Sequence, residues 1–477
     1  MGAQKIGLVL GPVAAGLMLL LGPPDGLNPA AWGTAALMML MATWWATEAI
    51  PIPATSLLPL VVLPLIEAGT PREVGASYAD HIVLLLLGGF IVALGIERWD
   101  LHKRIALNVV SRVGTAPRAL IFGFMLATAL LSMWISNTAT TLMMMPIALS
   151  ASTAIGGGQK QFTTALLLGI CYAASIGGVA TPIGTPTNLI ATSWLEKEAG
   201  ASIGFANWMA FGIPAAILLV PAAWWSVTRG LPRIGNSMDA LASVRSQKLS
   251  LGKISVPESR VAMIFGVVAF LWVFRLPIST GLADLGWPLL QSYKGQADMM
   301  IAIFGALLMF LVPAGAGEGR AILNWEEAVR LPWGVLVLFG GGIALGEAVS
   351  RTGLSKWIGD NLDALNALPP LFFIIVVVAL VLFLTELTSN VATMTTLAPI
   401  LGALAITVGV APASLLGPAA VAASCAFMLP VATAPNAIVY ATNHVTIREM
   451  MRAGLRLNLI GIAIISIIGY FIAPLVL

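Results

Sequence analysis

Charge is what this chain most lacks. Only 9% of its 477 residues are Asp, Glu, Lys or Arg, against roughly 25% in soluble globular domains. A chain so poor in charge is not an ordinary water-soluble domain, and a net charge of +3 points to no nucleic-acid partner. Both cysteines, Cys171 and Cys425, lie in apolar runs, so buried free thiols are expected. The three histidines, His81, His102 and His444, are far apart and share no metal-ligand spacing. No HExxH, GxSxG or P-loop string occurs, so the chemistry of an intramembrane protease, a lipase or an ATP-driven pump is missing. Most telling, no Lys, Arg or His occurs in three long stretches: 121–159, 162–196 and 371–443.

Apolar sequence fills that space. Hydrophobic residues make up 58% of the chain, and runs close to bilayer length recur at 6–22, 30–47, 54–66, 81–96, 209–227, 260–276, 299–312, 333–349 and 455–477. The expected class is an all-α polytopic membrane protein of about 11 spans embedded in a lipid bilayer. The alternating ten-residue segments of a barrel are absent. The first run follows a single Lys5 and has no convincing small-residue cleavage site, so it reads as a span rather than a signal peptide. Trp44-Trp45 and Trp224-Trp225 read as interface belts, and Met143-Met144-Met145 as packing.

Inside this apolar sequence one short polar phrase occurs twice. Ser136-Asn137-Thr138 and Ser389-Asn390-Val391 are each embedded in a hydrophobic segment, at 118–154 and 370–406. Each is preceded by a Gly-Gly landmark, at Gly88-Gly89 and Gly340-Gly341, and followed by a second polar break. That break reads Thr185-Pro186-Thr187-Asn188 in the first half and Thr433-Ala434-Pro435-Asn436 in the second. The offsets are 252 (Gly88 to Gly340), 253 (Ser136 to Ser389) and 248 (Thr185 to Thr433). Three landmarks in register constitute an internal repeat. With the N-terminus inside, 18 of the 24 Lys and Arg fall on inner segments. Only Arg72, Lys197, Arg275, Lys294, Arg351 and Lys356 lie outside. That assignment enters the two hairpins from opposite faces and makes the repeats inverted. The stretches after the Gly-Gly landmarks read as interfacial helices, with Leu101, Ile105, Val109 and Val113 on one face of the first. Leu354, Trp357, Ile358, Leu362 and Leu365 do the same in the second.

A straight helix of about 35 residues would overshoot a bilayer, so each Ser-Asn phrase is expected at the tip of a re-entrant helical hairpin. Interrupted helices expose carbonyls that suit a cation and amides that suit an anion. Ser132, Ser136, Asn137 and Thr138, with Thr385, Ser389 and Asn390, add side-chain donors and acceptors. An anion held there meets no basic residue, and two uncompensated negative charges in a poorly solvated core are prohibitive. Co-bound Na+ ions on neutral oxygens solve the problem. The reading is therefore a secondary transporter that couples sodium to a small anion. Glu386, the one acid near a tip, is expected on a solvated side or in a structural pairing, with proton coupling as the functional alternative. An ion channel and a membrane enzyme are the rival classes, the second lacking any visible nucleophile, metal or acid/base pair.

In these residues the chain resembles the divalent anion/sodium symporter family of dicarboxylate, citrate and sulfate carriers, over nearly its whole length. The resemblance implies an elevator mechanism in a homodimer. Scaffold would comprise 1–117, with an interfacial arm at 98–113, and 259–366, with an arm at 351–366. The transport domain would comprise 118–229 and 367–477, and 230–258 would be a cytoplasmic loop. It implies one sodium site at Ser132, Ser136, Asn137 and Gly184, and a second at Thr385, Thr388, Asn390 and Ala432. Substrate would lie between Ser136, Asn137, Thr138 and Ser389, Asn390, with Thr185, Pro186 and Thr433 beside it. Val391 departs from the pattern where a threonine would complete the second phrase, and Ala434 departs where a proline would follow Thr433. The expected activity is sodium-coupled symport of C4 dicarboxylates such as succinate, with citrate or sulfate transport and sodium-independent exchange as alternatives. The expected location is the cytoplasmic membrane, with the C-terminus outside.

Overall fold

The computed structural model describes residues 2–114, 116–154, 160–200, 203–231, 238–284, 296–315, 319–360 and 369–477. Among the described residues it is all-helical, with one isolated bridge between Pro313 and Ala321. In chain order the helices are α1 (Ala3–Leu21), α2 (Pro29–Thr47), α3 (Ile52–Thr55), α4 (Leu58–Leu65), α5 (Pro71–Ala76), α6 (His81–Arg98), α7 (Leu101–Val110), α8 (Pro117–Ser132) and α9 (Asn137–Ala154). There follow α10 (Lys160–Gly178), α11 (Pro186–Glu198), α12 (Phe205–Thr228), α13 (Met238–Ser250), α14 (Val256–Asp284), α15 (Ala297–Leu311), α16 (Trp325–Ala328) and α17 (Trp333–Arg351). The last are α18 (Leu354–Asp360), α19 (Pro370–Leu384), α20 (Asn390–Thr407), α21 (Ala413–Ser424), α22 (Ala434–Ala441), α23 (Ile447–Phe471) and α24 (Ala473–Val476).

Among the described residues, eight helical stretches are long and apolar enough to cross a membrane, including Phe205–Thr228, Val256–Gly281 and Ile447–Val476. Shorter apolar helices such as Pro117–Ser132, Pro370–Leu384 and Ala413–Ser424 stop at the polar phrases. The sequence breaks there because Ser, Asn, Thr, Pro and Gly cluster where helix propensity would otherwise run on. The run at 54–66 also divides: Ser56 and Leu57 separate α3 from α4, and Ser56 accepts the Trp45 indole N–H at 3.2 Å. Trp45 is therefore a buried core residue at 1% exposure, not part of an interface belt.

Buried apolar residues form separate cores. The largest joins α8–α13 to α19–α24, through Phe124, Tyr172, Trp208, Val378, Leu416 and Leu457. A second joins α6, α14, α15 and α17, through Leu86, Val268, Trp272, Ala302 and Phe339. A third gathers α2, α4 and the other face of α17 around Met41, Trp45, Leu63 and Leu345.

Two stretches differ from the sequence reading. α7 buries Leu101, His102, Ala106, Leu107 and Val110, while Ile105 and Val109 are only partly covered. The buried stripe is rotated because Ala106, Leu107 and Val110 pack into the largest core rather than facing lipid. The 230–258 stretch contains α13, whose Ala240 and Val244 enter the same core. In the second arm Leu354 is buried and Trp357 and Ile358 partly so, while Leu362 and Leu365 lie outside the described residues.

The Gly-Gly landmarks are close-approach points. A Cβ on Gly88 would strike the backbone of Ala302, and one on Gly341 would strike the carbonyl of Ser56. Gly88→Val should therefore force α6 from α15 and cost roughly 1–3 kcal/mol. A lowered unfolding temperature in detergent, with Gly16→Ala as the unobstructed control, checks this.

Candidate functional site

Four helix interruptions meet around a cavity of about 950 Å³. It is lined by Ser136, Asn137 and Thr138 from the first tip and by Thr388, Ser389, Asn390 and Val391 from the second. Gly184, Thr185 and Pro186, together with Ala432, Thr433 and Ala434, complete the inner wall. Ser132 and Thr385 stand behind this layer, fully buried.

The hydrogen bonds repeat atom for atom between the halves. Ser132 Oγ lies 2.7 Å from Asn137 Oδ1 and 2.7 Å from the Ala174 carbonyl. Thr385 Oγ1 lies 2.8 Å from Asn390 Oδ1 and 2.7 Å from the Ala423 carbonyl. Asn188 Nδ2 donates to the carbonyls of Gly178 (3.0 Å) and Thr181 (2.7 Å). Asn436 Nδ2 donates to those of Ala426 (3.0 Å) and Leu429 (3.0 Å). Each amide thus closes one break by taking two carbonyls that lost their helical partners. The breaks also approach closely: a Cβ on Gly184 would strike the Gly178 carbonyl, and one on Gly178 would strike Asn137 Oδ1.

Several helices that begin away from the cavity are capped by the side chain of the residue that opens them. Asn28, Thr70, Asp80, Asn324 and Thr446 each open a helix by accepting a backbone N–H on their own side chain. Thr185, Ser389 and Thr433 open α11, α20 and α22 in the same extended conformation with no such bond. Their first-turn amides and hydroxyls are left for something else, whereas the fourth N-terminus, that of α9 at Asn137, is capped by Ser136 Oγ, which accepts the Ala139 N–H at 3.3 Å. Converging helix N-termini favour an anion.

Among the described residues no Lys or Arg lines this cavity, and Glu48 is the one charged residue on its wall. Glu48 caps α2 in the left-handed region at φ 48°. It and Gln4 were invisible as wall residues in the sequence, because only the tertiary fold sets α1 and α2 against the four breaks. Thr388 lines the cavity, but its hydroxyl donates to the Leu384 carbonyl at 3.0 Å and sits 2.5 Å from Thr393 Oγ1. Val391 lines the cavity while its other side packs on the α2–α17 core.

The halves also differ in how the first hairpin helix holds the second break. In the first, Thr181 Oγ1 donates to the Met133 carbonyl. In the second, Glu386 takes over, 3% exposed rather than solvated. Its carboxylate accepts from the N–H groups of Phe427 (2.8 Å), Met428 (3.0 Å) and Leu429 (3.2 Å), and from Asn458 Nδ2 (2.8 Å). All of these partners donate, so both carboxyl oxygens act as acceptors.

This architecture is that of a multi-pass membrane carrier, and the comparisons agree. The family model described as the sodium:sulfate symporter transmembrane region matches residues 3–477. The sodium-dependent dicarboxylate transporter SdcS of Staphylococcus saprophyticus is 41% identical over 489 residues, covering 99% of this chain and 92% of that one. Its counterpart in Staphylococcus aureus strain MRSA252 is 43% identical over 487 residues, with the same coverage. The chain belongs to the sodium:sulfate symporter family, as its resemblance to divalent anion/sodium symporters implied, and is a transporter rather than an enzyme. Among solved structures, the Alcanivorax borkumensis YdaH transporter shares the fold at a TM-score of 0.58 and 15% identity, over 93% of this chain and 98% of that one. The Neisseria gonorrhoeae MtrF structure aligns at 0.57 and 14% identity, over 98% and 95%.

Glu386→Gln should test the pinning of the second break. The amide turns an acceptor into a donor against amides that have no other partner, at roughly 1–3 kcal/mol per orphaned group. Lower thermal stability than Asn458→Ala, which removes one of the donors, is the expected order.

Proposed function

We propose that the chain is a sodium-coupled symporter of small dicarboxylates, with C4 acids such as succinate as substrate. The observation that carries this is the cavity: four helix N-termini and the unbonded hydroxyls of Thr185, Ser389 and Thr433 converge on a wall that holds no Lys or Arg among the described residues. Helix amides attract a dianion but do not neutralise it, so cations must enter with it. The names of the Staphylococcus relatives point to the same pairing of sodium with dicarboxylate.

Asn137, Ser132, Ser136 and Gly184 would hold one sodium ion, and Asn390, Thr385, Thr388 and Ala432 the other. The geometry behind Asn137 and Asn390 supports this. A hydroxyl has one proton, so when Ser132 gives it to the Ala174 carbonyl, the Asn137 carbonyl oxygen faces only a lone pair. A cation relieves that pairing, and Thr385 and Asn390 repeat it. Thr388 would contribute through its main chain, since its hydroxyl is taken. The substrate carboxylates would lie between Ser136-Asn137-Thr138 and Ser389-Asn390, reached by Thr185, Pro186 and Thr433.

That α8–α13 and α19–α24 share the largest core while α6, α14, α15 and α17 centre on another supports an elevator reading. The body of α8–α13 and α19–α24 would carry substrate and sodium past a scaffold built from α1–α6 and α14–α18, the two hairpins being re-entrant from opposite faces. A homodimer in the cytoplasmic membrane, N-terminus inside, completes the proposal.

Uptake of labelled succinate, citrate and sulfate into proteoliposomes tests it. Succinate uptake should fall to background when choline replaces external sodium. Full-rate uptake without sodium, driven by an internal anion, would instead establish exchange. Asn137→Ala and Asn390→Ala should each abolish uptake while the protein still folds. Val391→Thr is nearly isosteric and offers the anion one more hydroxyl. A hydrogen bond to a charged group is worth roughly 1.5–3 kcal/mol, so a shift in substrate affinity of about tenfold or more is expected. An unchanged substrate ranking with a lower unfolding temperature would assign Val391 to packing.

A further inference from the structure

A cluster of charged side chains ties the two bodies together at the end of the molecule away from the cavity mouth. Lys197, near the C-terminus of α11, lies 2.8 Å from Asp80 Oδ2 and 2.5 Å from Glu347 Oε1. Its neighbour Glu196 lies 3.0 Å from His81 Nε2, and His81 Nδ1 is 3.2 Å from Asp80 Oδ1. Glu347 also accepts from Ser77 Oγ at 2.8 Å. Asp80 and His81 begin α6 and Glu347 sits on α17, both in the second core, whereas Trp194 and Leu195 anchor the end of α11 in the largest core.

The five charged side chains are only 11–25% exposed. Ion pairs this shielded are costly to leave unpartnered, unlike those in open water.

The position of the cluster is as informative as its chemistry. α17 presents Val335 to the cavity and Glu347 to the cluster, roughly 18 Å apart along the helix. α11 likewise runs from Pro186 at the cavity to Lys197, roughly 16 Å away. The geometry points to a latch: Lys197 and Glu196 on the α11 body, seated on Asp80, His81 and Glu347 of the other, hold the carrier in the state whose cavity opens at the Glu48 end. This rests on the elevator reading above. A slide of one helical turn, about 5.4 Å, carries every one of these pairs beyond ion-pair reach, so the latch must release once in each cycle.

The test replaces the latch by a covalent bridge. Asp80→Cys with Lys197→Cys, reconstituted under an inward sodium gradient, is treated with a short bifunctional methanethiosulfonate, and bridging is confirmed by mass spectrometry. Cys171 and Cys425 are fully buried, so the wild-type chain is the unreactive control. His81→Cys with Glu196→Cys is the second pair, used in parallel in case the first folds poorly. Bridged protein should lose succinate uptake at least tenfold and regain it on reduction, while each single variant ignores the reagent. Bridged protein that transports at the unbridged rate overturns the latch, as does a folded pair that never bridges with or without sodium and succinate. Absence of sodium-dependent uptake in the untreated wild-type chain is a different result, and overturns the transport reading instead.

Discussion

The structure depends on finding partners for backbone groups that four interrupted helices leave bare in apolar surroundings. An unpaired buried carbonyl or amide costs on the order of 1–3 kcal/mol, and each break exposes several. Asn188 and Asn436 meet this requirement from the same place in each half, each amide taking two carbonyls. Ser132 and Thr385 each stand between an asparagine oxygen and a carbonyl of the neighbouring helix, with one proton for the two acceptors. Because these bonds use short side chains with few rotamers, they hold the breaks at fixed positions. The cavity is therefore shaped by the backbone as much as by the residues that line it.

Neutral partners leave that cavity without a fixed positive charge, and this constraint links the architecture to the proposed chemistry. A lysine would bind a dianion strongly in every state and would make its release independent of sodium. Helix N-termini and hydroxyls attract the anion more weakly, so its binding becomes conditional on cations beside it. Glu386 breaks the symmetry in an instructive way. It supplies the second break with a carboxylate where the first uses the Thr181 hydroxyl on the Met133 carbonyl. The second half thus carries a buried carboxyl group one residue from Thr385 that the first half does not.

Much of this was legible in the sequence, and for a physical reason. Polar phrases such as Ser136-Asn137 and Thr185-Pro186 are conspicuous against apolar sequence, and their near-constant offset exposes the repeat. Helix interruption follows directly from Pro, Gly and Asn in those phrases. Other features were not legible because they are long-range. Nothing local in Thr47-Glu48 announces that α2 ends at the cavity, nor that Trp45 turns inward to Ser56. The buried face of α7 is only partly legible, because the pattern at Leu101, Ile105 and Val109 fits an interfacial helix equally well. Only the presence of α8 and α13 against it selects Ala106, Leu107 and Val110. Glu386 was placed near a tip correctly, but its burial depends on amides 41 to 43 residues away.

α11 joins these themes in a single short helix. Its N-terminus, opened by Thr185 without a side-chain cap, faces the cavity, and its C-terminus carries Glu196 and Lys197 to the other body. Between them Ala191, Trp194 and Leu195 fasten it to the largest core, while Leu189 reaches into the second. A rigid helix so anchored cannot shift at one end alone. Any displacement that parts Lys197 from Asp80 and Glu347 also moves Thr185 and Pro186, and with them one wall of the binding cavity. On the elevator reading, ligand occupancy at one end and ion pairing at the other would be coupled mechanically, through 13 residues of continuous helix.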